Sequence, residues 1–506
     1  MSFRPLIAIC GTTGVGKSNL AIEIALALSS SNSSSWTSAK VINADAMQVY
    51  AGMDIITNKV PVAERQGVEH LLMGFKPPTE QYVVGQWVRD ALNAVEEAHS
   101  RKQVPIIVGG TSYWIQHLLF PDRLARNVAS TPEPEDKSRP SPVPMSPELA
   151  QSVAALPPDL LSLFNSLPDP APNADTDPEA AYSLYNLLKS LDLAIAERWH
   201  WKDTRKVLRS LRIIEETGKR PSEMIEQQSR NRVKPRFNTL CFWLYAKPDV
   251  LKPRLDLRVD KMVEQGLLDE VRALRELTTS NDEANGGSDY TFGMFQSIGK
   301  LGYREFHSYL ALSNPTDNDF QTALNNMKTS TRQYAKKQIS WLRNKLLPAL
   351  YSSNEDCNAE NTAHTYLLDA TELGDSWETN VYKPAIQITH GFLSHEVLPN
   401  PSSLSETADA MLRIEEKPTD PDAVLAARKK IVCGTCTINP AQPFMVEEGK
   451  EWALHVKTRG HRRRAHKKEQ ANRTHSYRRA SENKSSNGDT DSETPEVDLS
   501  SGILER

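Results

Sequence analysis

Eight consecutive residues, Gly11-Thr12-Thr13-Gly14-Val15-Gly16-Lys17-Ser18, fit the pattern G-x-x-x-x-G-K-[ST] at every fixed position. The glycines let the backbone curl until its N–H groups converge on phosphate oxygens, Lys17 supplies a point charge, and the Ser18 hydroxyl can hold Mg²⁺. A glycine-rich turn that binds nothing is the competing reading. It is disfavoured because an apolar run, Leu6 to Cys10, leads into the loop and a helical pattern, Lys17 to Leu28, leads out of it. The motif specifies a polyphosphate without saying which one, and on general grounds ATP or GTP is the first guess.

A second constellation lies far along the chain: Cys433-x2-Cys436-x18-His455-x5-His461. Two thiolates and two imidazoles fill the four positions of a closed tetrahedral zinc site, and chance cysteines are the alternative. The central spacer exceeds the common twelve or so, which implies an unusually long loop, and His466 is a second candidate for the last ligand. So short a segment has no core of its own. Metal binding worth roughly 10–16 kcal/mol in finger peptides supplies the missing stability. With no ligand position left open, the ion is structural and not catalytic.

The elements that must position the phosphate loop are read from apolar patterning. Val41 to Asp45 and Val104 to Gly110 are strand-like, Gln86 to Arg101 is helical, and continuous β-branched runs spaced by helices read as a parallel sheet buried on both faces. The fold class is therefore α/β, a P-loop NTPase-like parallel sheet with a mostly helical insertion and a small C-terminal C2H2 zinc finger. The expected organisation is a catalytic domain at 1–128, a low-complexity insertion at 129–158, and a helical region completing the core at 159–350. A weakly patterned connector follows at 351–430, in which TYLLDA suggests a late return to the sheet, then the finger at 431–466 and a basic then acidic tail at 467–506. Five scattered cysteines, an odd number, argue for a reducing compartment. The absence of any apolar run of 18 residues argues against a membrane span, and no cleaved presequence is expected. A net charge of -4 conceals a basic block, ten Lys/Arg against the single acid Glu469 between Lys457 and Arg479. Such a block reads as nucleic-acid binding, a nuclear address or a solvated tail.

The blocks GTTGVGKS, ADAMQVYAGMDIITNK, VPIIVGGTSYWIQHLL, RSLRIIEETGKRPSE, RLDLRVDKMVEQGLLDEV, QSIGKLGYREF and TRQYAKKQISWLR, in that order over about residues 5 to 345, resemble the tRNA dimethylallyltransferase family. The resemblance implies that the loop, Gly11 to Ser18, holds the diphosphate of dimethylallyl diphosphate without nucleotide hydrolysis. The prenyl group then passes to N6 of an adenosine in tRNA, adenosine-37 beside the anticodon. An aromatic amine is a poor nucleophile and diphosphate a poor leaving group, so the chemistry needs a base on one side and cations on the other. Asp45 is the implied base, at the end of a strand beside the loop where open α/β sheets bind ligands; a Walker-B-like Mg²⁺ holder or a helix cap is the alternative. Ala46, Met47 and Gln48 follow it toward the target base, unless Gln48 is an ordinary turn residue. Thr111, after Gly109-Gly110, is implied at the reacting centre, against a pair of glycines that serve only a tight turn. Arg258 is implied near the diphosphate, against a salt-bridged or solvated arginine.

Arg332, Lys336, Lys337 and Arg343 on one helical stretch, and Arg205, Lys206 and Arg209 on another, are candidate phosphate contacts for tRNA, with a solvated face as competitor. The H-x5-H arm resembles the matrin- or U1-type fingers carried by eukaryotic members. Departures are Thr12, where the family often has proline, Ala46 in place of serine, and His70 where two histidines are common. An adenylate isopentenyltransferase or a P-loop kinase is the alternative reading. A monomer is expected, in the cytoplasm and also in mitochondria or the nucleus.

Overall fold

The structure, a computed structural model, describes residues 3–30, 36–121, 144–230, 234–285, 302–354, 361–414 and 429–470. Of the stretches singled out above, residues 129–143, 296–301 and 471–506 lie outside the described residues. Two compact units result, one from residues 1–139 and 227–417, the other from 140–226 and 418–506.

In the first unit, β1 (Pro5–Gly11), β2 (Ser38–Asn43), β3 (His70–Leu71), β4 (Gln103–Val108), β5 (Asn238–Tyr245) and β6 (Ala363–Asp369) form one sheet in the order β3-β2-β4-β1-β5-β6. Every pairing is parallel. Parallel neighbours need crossover helices, and α1 (Lys17–Ser30), α2 (Val84–Ser100) and α3 (Ser112–Leu119) supply three of them. Period-two alternation divides the central strand between two cores: Leu6, Ala8 and Cys10 enter one apolar cluster, Ile7 and Ile9 the other. That is why β1 reads as an unbroken apolar run. The segment TYLLDA does return to the sheet, as β6 in register with β5 from Thr239↔Ala363 to Tyr245↔Asp369.

The carboxyl ends of all six strands share one edge, so the loops after β1, β2, β4 and β6 meet there. The helices Pro248–Glu264, Leu267–Asn285, Tyr303–Leu310 and Asp317–Trp341 belong to the same unit. The first two are one run in sequence but break at Gly266, whose φ of +101° no helix tolerates. Among the described residues no helix is long and apolar enough to cross a membrane.

In the second unit, helices between Pro147 and Glu226 pack around Leu184, Leu188, Trp201, Val207, Leu211 and Ile214. The helices of residues 159–350 thus fall into both units. The Cys/His segment lies on the helical body: an antiparallel hairpin, β7 (Lys430–Val432) and β8 (Met445–Glu447), sends Met445 into that core. Trp201 Nε1 donates to the Pro443 carbonyl at 2.8 Å, and Lys429 pairs with Glu197 at 3.0 Å.

The run LLKSLDLAIAERW, helical throughout in sequence, is interrupted at Asp192. Its buried carboxylate accepts from Ile195 N–H at 3.2 Å and from Ser222 N–H at 2.9 Å, so one side chain caps two helices. Asp192→Ala is expected to cost about 2 kcal/mol. The change is read as a lower urea midpoint with an unchanged slope, and Asp192→Asn should recover part of it.

Candidate active site

Between β1 and α1 the chain turns through Gly11, Gly14 and Gly16, all at positive φ, and ends on Lys17 at the first turn of α1. Lys17 is half-buried and folds back so that Nζ donates to the Thr12 carbonyl at 2.7 Å. Burial pushes its pKa down to about 8, while Asp45 pulls it up. Arg258, from the Pro248–Glu264 helix, donates through Nη1 to Thr13 Oγ1 at 2.7 Å. Burial lowers it to about 10, again opposed by Asp45. Two cations therefore flank the loop and one carboxylate faces both.

Asp45 follows β2. Its Oδ1 accepts the Met47 N–H at 3.0 Å, whereas Oδ2 makes no hydrogen bond among the described residues. One oxygen is thus spent on orientation, and the other can accept a proton. The backbone that carries it is fixed from β4: a Cβ on Gly109 would stand 2.2 Å from both the carbonyl carbon and oxygen of Ala44. Gly109 therefore does more than turn, since it lets two strand ends touch, and a Cβ on Gly110 would stand 2.4 Å from Gln338 Nε2. Thr111 closes the same contact, its amide donating to the Ala44 carbonyl at 3.2 Å and its Oγ1 accepting the Ala46 N–H at 3.0 Å. Gln48 Nε2 donates to the carbonyls of Thr57 and Asn58 at 3.1 and 3.2 Å.

Two cavities meet at this point. One, about 580 Å³, is lined by the loop from Thr13 to Ser18 with Gln48, Lys59 and Trp377. The other, about 740 Å³, is lined by Met47, Tyr82, Thr111, Trp114, Tyr334 and Lys337. Thr13, Asp45, Thr57 and Arg258 line both.

Three contributors have no role of their own in the sequence reading, although Gln338 and Tyr334 lie in the block TRQYAKKQISWLR. Gln338, buried in the Asp317–Trp341 helix, accepts the Thr13 N–H through Oε1 at 2.9 Å and donates through Nε2 to the Gly110 carbonyl at 3.0 Å. Tyr334, one turn earlier, has its hydroxyl pKa raised by burial and by the nearby Asp45. Trp377 arrives from the weakly patterned segment after β6. On a helix each of these residue types reads as packing.

The candidate RNA contacts are unequal. Lys336, Lys337 and Arg343 are exposed, with Lys337 at the second cavity. Arg332 instead grips both Asp256 oxygens at 2.5 and 2.7 Å. In the second unit Arg205 is exposed, Lys206 pairs with Asp203 at 3.2 Å and lies over Trp199, and Arg209 stands 3.6 Å from Glu216.

Also in the second unit, one donor atom each from Cys433, Cys436, His455 and His461 lies within 4.8 Å of the others. His461 Nδ1 stands 3.5 and 3.6 Å from the two sulfurs and 3.1 Å from His455 Nε2. Zinc bonds of about 2.3 Å to sulfur and 2.0 Å to nitrogen give tetrahedral edges near these lengths. His466 is exposed and outside the cluster.

Residues 48–345 match the family model described as IPP transferase. The chain is 35% identical to the tRNA dimethylallyltransferase of Schizosaccharomyces pombe over 93% of its length and 97% of that protein. It is 32% identical to the enzyme of that name from Saccharomyces cerevisiae, over 91% of each. A solved structure of a eukaryotic dimethylallyltransferase acting on tRNA superimposes with a TM-score of 0.67 at 29% identity, covering 94% of this chain and all of that one.

Gln338→Leu removes both clamps and leaves the Thr13 N–H and Gly110 carbonyl without their partner. A loss of about 2–4 kcal/mol is expected in chemical denaturation, with Gln338→Glu intermediate because it keeps the acceptor.

Proposed function

We infer the parts played by individual residues from the premise that this chain belongs to the tRNA dimethylallyltransferase family, which the family match and the relatives' coverage establish. The protein is a prenyl transferase that moves the dimethylallyl group of dimethylallyl diphosphate onto tRNA. Our proposal for the acceptor atom is N6 of adenosine-37. The observation that carries the mechanism is the junction of two cavities at Thr13, Asp45 and Arg258. The cavity lined by the phosphate loop takes the diphosphate; the more aromatic one takes the adenine, turned out of its stack.

As the bond from N6 to the prenyl carbon forms, the bond from that carbon to the diphosphate oxygen breaks and its electron pair leaves with the diphosphate. The proton of N6 goes to Asp45 Oδ2. Developing charge on the leaving group is met by Lys17, Arg258 and the amides of Gly14 to Ser18. Thr13 Oγ1 accepts from Arg258, so its own proton is available to the diphosphate, and Thr111 is placed likewise for the reacting centre. Gln48 has both amide protons engaged by loop carbonyls and lines the donor cavity and not the one assigned to adenine, so it holds the loop after β2 in place.

Ser18 Oγ lines the donor cavity and makes no hydrogen bond among the described residues, so it suits a Mg²⁺ ligand. The ion would neutralise part of the diphosphate charge. The Cys433, Cys436, His455 and His461 cluster suits a structural Zn²⁺. Lys336, Lys337 and Arg343, with Arg205 on the other unit, are the proposed phosphate contacts, and the basic run after Lys457 supports both RNA affinity and a nuclear address beside the cytoplasmic one.

Labelled dimethylallyl diphosphate, unmodified tRNA and Mg²⁺ without ATP test this reading. Transfer to tRNA is expected to fall about 10²–10⁴-fold in Asp45→Asn. Label passing to free AMP instead of tRNA would point to an adenylate isopentenyltransferase, and ATP turnover without transfer to a kinase. Removing zinc with a chelator should unfold the Cys/His segment and leave the transfer chemistry of a pre-bound complex intact; metal content and the exchange of the Met445 amide report the first effect.

A further inference from the structure

One wall of the donor cavity comes from the loop after β6. Asp369 accepts the Thr371 N–H at 3.0 Å and the Thr407 hydroxyl at 2.6 Å. Arg254 donates to the carbonyls of Ala370 and Thr371 at 3.0 and 2.6 Å. These anchors bring Leu373, Gly374 and Trp377 to the cavity. Trp377 rests on the phosphate loop itself: a Cβ on Gly16 would stand 2.6 Å from its Cη2 and 2.8 Å from Cζ3. Its Nε1 donates to both carboxylate oxygens of Glu23, on α1, at 3.1 and 3.2 Å. The indole is therefore fixed at one end by a hydrogen-bonded carboxylate and at the other by a backbone that tolerates no side chain.

The sheet order makes this wall directional. β1 lies between β4 and β5, so Asp45, after β2, stands on one side of the phosphate loop and the β6 loop on the other. A diphosphate seated on the loop amides lies between these two sides. The Asp45 side opens into the second cavity, where the prenyl carbon must lie for transfer. On the β6 side it meets the Trp377 ring and the Glu23 carboxylate. A short prenyl ester needs only the first side. A nucleoside diphosphate or triphosphate held by the same amides needs room for ribose and base, and on the β6 side that room is occupied by indole. A further phosphate there would also face Glu23, whose negative charge opposes it.

We propose that Trp377 is a specificity-determining residue: seated on Gly16 and tied to Glu23, it fills the nucleoside side of the phosphate loop, so that the loop accepts a diphosphate bearing a small apolar group and rejects nucleoside di- and triphosphates. The proposal rests on the reading of this loop as the donor site. It explains how a sequence pattern shared with ATP and GTP sites serves a different ligand without any change in the pattern itself.

The test is calorimetric binding of inorganic pyrophosphate and of ADP, each with Mg²⁺, to the full chain as wild type, Trp377→Ala, Trp377→Leu and Lys17→Ala. The wild type should prefer pyrophosphate, and the ratio of ADP affinity to pyrophosphate affinity should rise at least about tenfold in Trp377→Ala. Trp377→Leu keeps an apolar cover over Gly16, should raise the ratio less, and serves alone if the alanine variant does not fold. A ratio that stays at the wild-type value in the variants that fold overturns the proposal, as does a wild type that binds ADP as tightly as pyrophosphate. Lys17→Ala separates the two claims: if pyrophosphate binding survives it, the donor-site reading falls and this one with it, whereas Lys17-dependent binding with an unchanged ratio overturns the role of Trp377 alone.

Discussion

The side-chain amide of Gln338 holds the Thr13 N–H with one atom and the Gly110 carbonyl with the other, and the active site is organised around that pair of bonds. A parallel sheet delivers its loops to one edge but leaves their backbone groups without ladder partners. Here the loop after β1 and the turn after β4 share a single buried partner contributed by a helix more than two hundred residues later. The Gly109 contact with Ala44 then fixes the loop after β2 against the same turn. Asp45, the phosphate loop and the Asp317–Trp341 helix are in this way held in one frame, which also places Lys337 of that helix at the second cavity.

Electrostatics follow from the same frame. Lys17 and Arg258 are both disfavoured in their charged forms by burial, and for both the compensating carboxylate is Asp45. A bound diphosphate would relieve the two cations together. The free site therefore carries desolvated positive charge, costly in isolation, that a bound anion would neutralise.

The phosphate loop, β1, β4 and Asp45 were legible in the sequence because their signals are local: a fixed-spacing motif, unbroken β-branched runs, an acid at a strand end. The Cys/His cluster was legible for the same reason. Gln338, Tyr334 and Trp377 were not, because each acquires its role only from a partner remote in the chain, and a glutamine or tyrosine on an amphipathic helix carries no mark of it. Arg332 shows the converse. It sits among lysines that remain exposed, yet Asp256, 76 residues earlier, takes its charge. The break at Asp192 was missed because helical periodicity continues through it, while the carboxylate that ends one helix and starts two others is a single polar residue in an apolar run.

The second unit is assembled from two stretches of chain, 140–226 and 418–506, and that separation has a consequence for how the protein is made. Trp201 finds its acceptor at Pro443, 242 residues onward, and the helical core receives Met445 last. At about 5–20 residues per second, a ribosome needs roughly 10–50 s to deliver that hairpin after the helices have emerged. For that interval the indole of Trp201 and the apolar faces beside it are without their final cover, while the sheet of the first unit can close as soon as β6 is out. The order of synthesis therefore completes the sheet of the first unit first and leaves the helical core dependent on the hairpin at 430–447, so a ribosome that stops before it releases a finished sheet and an open core.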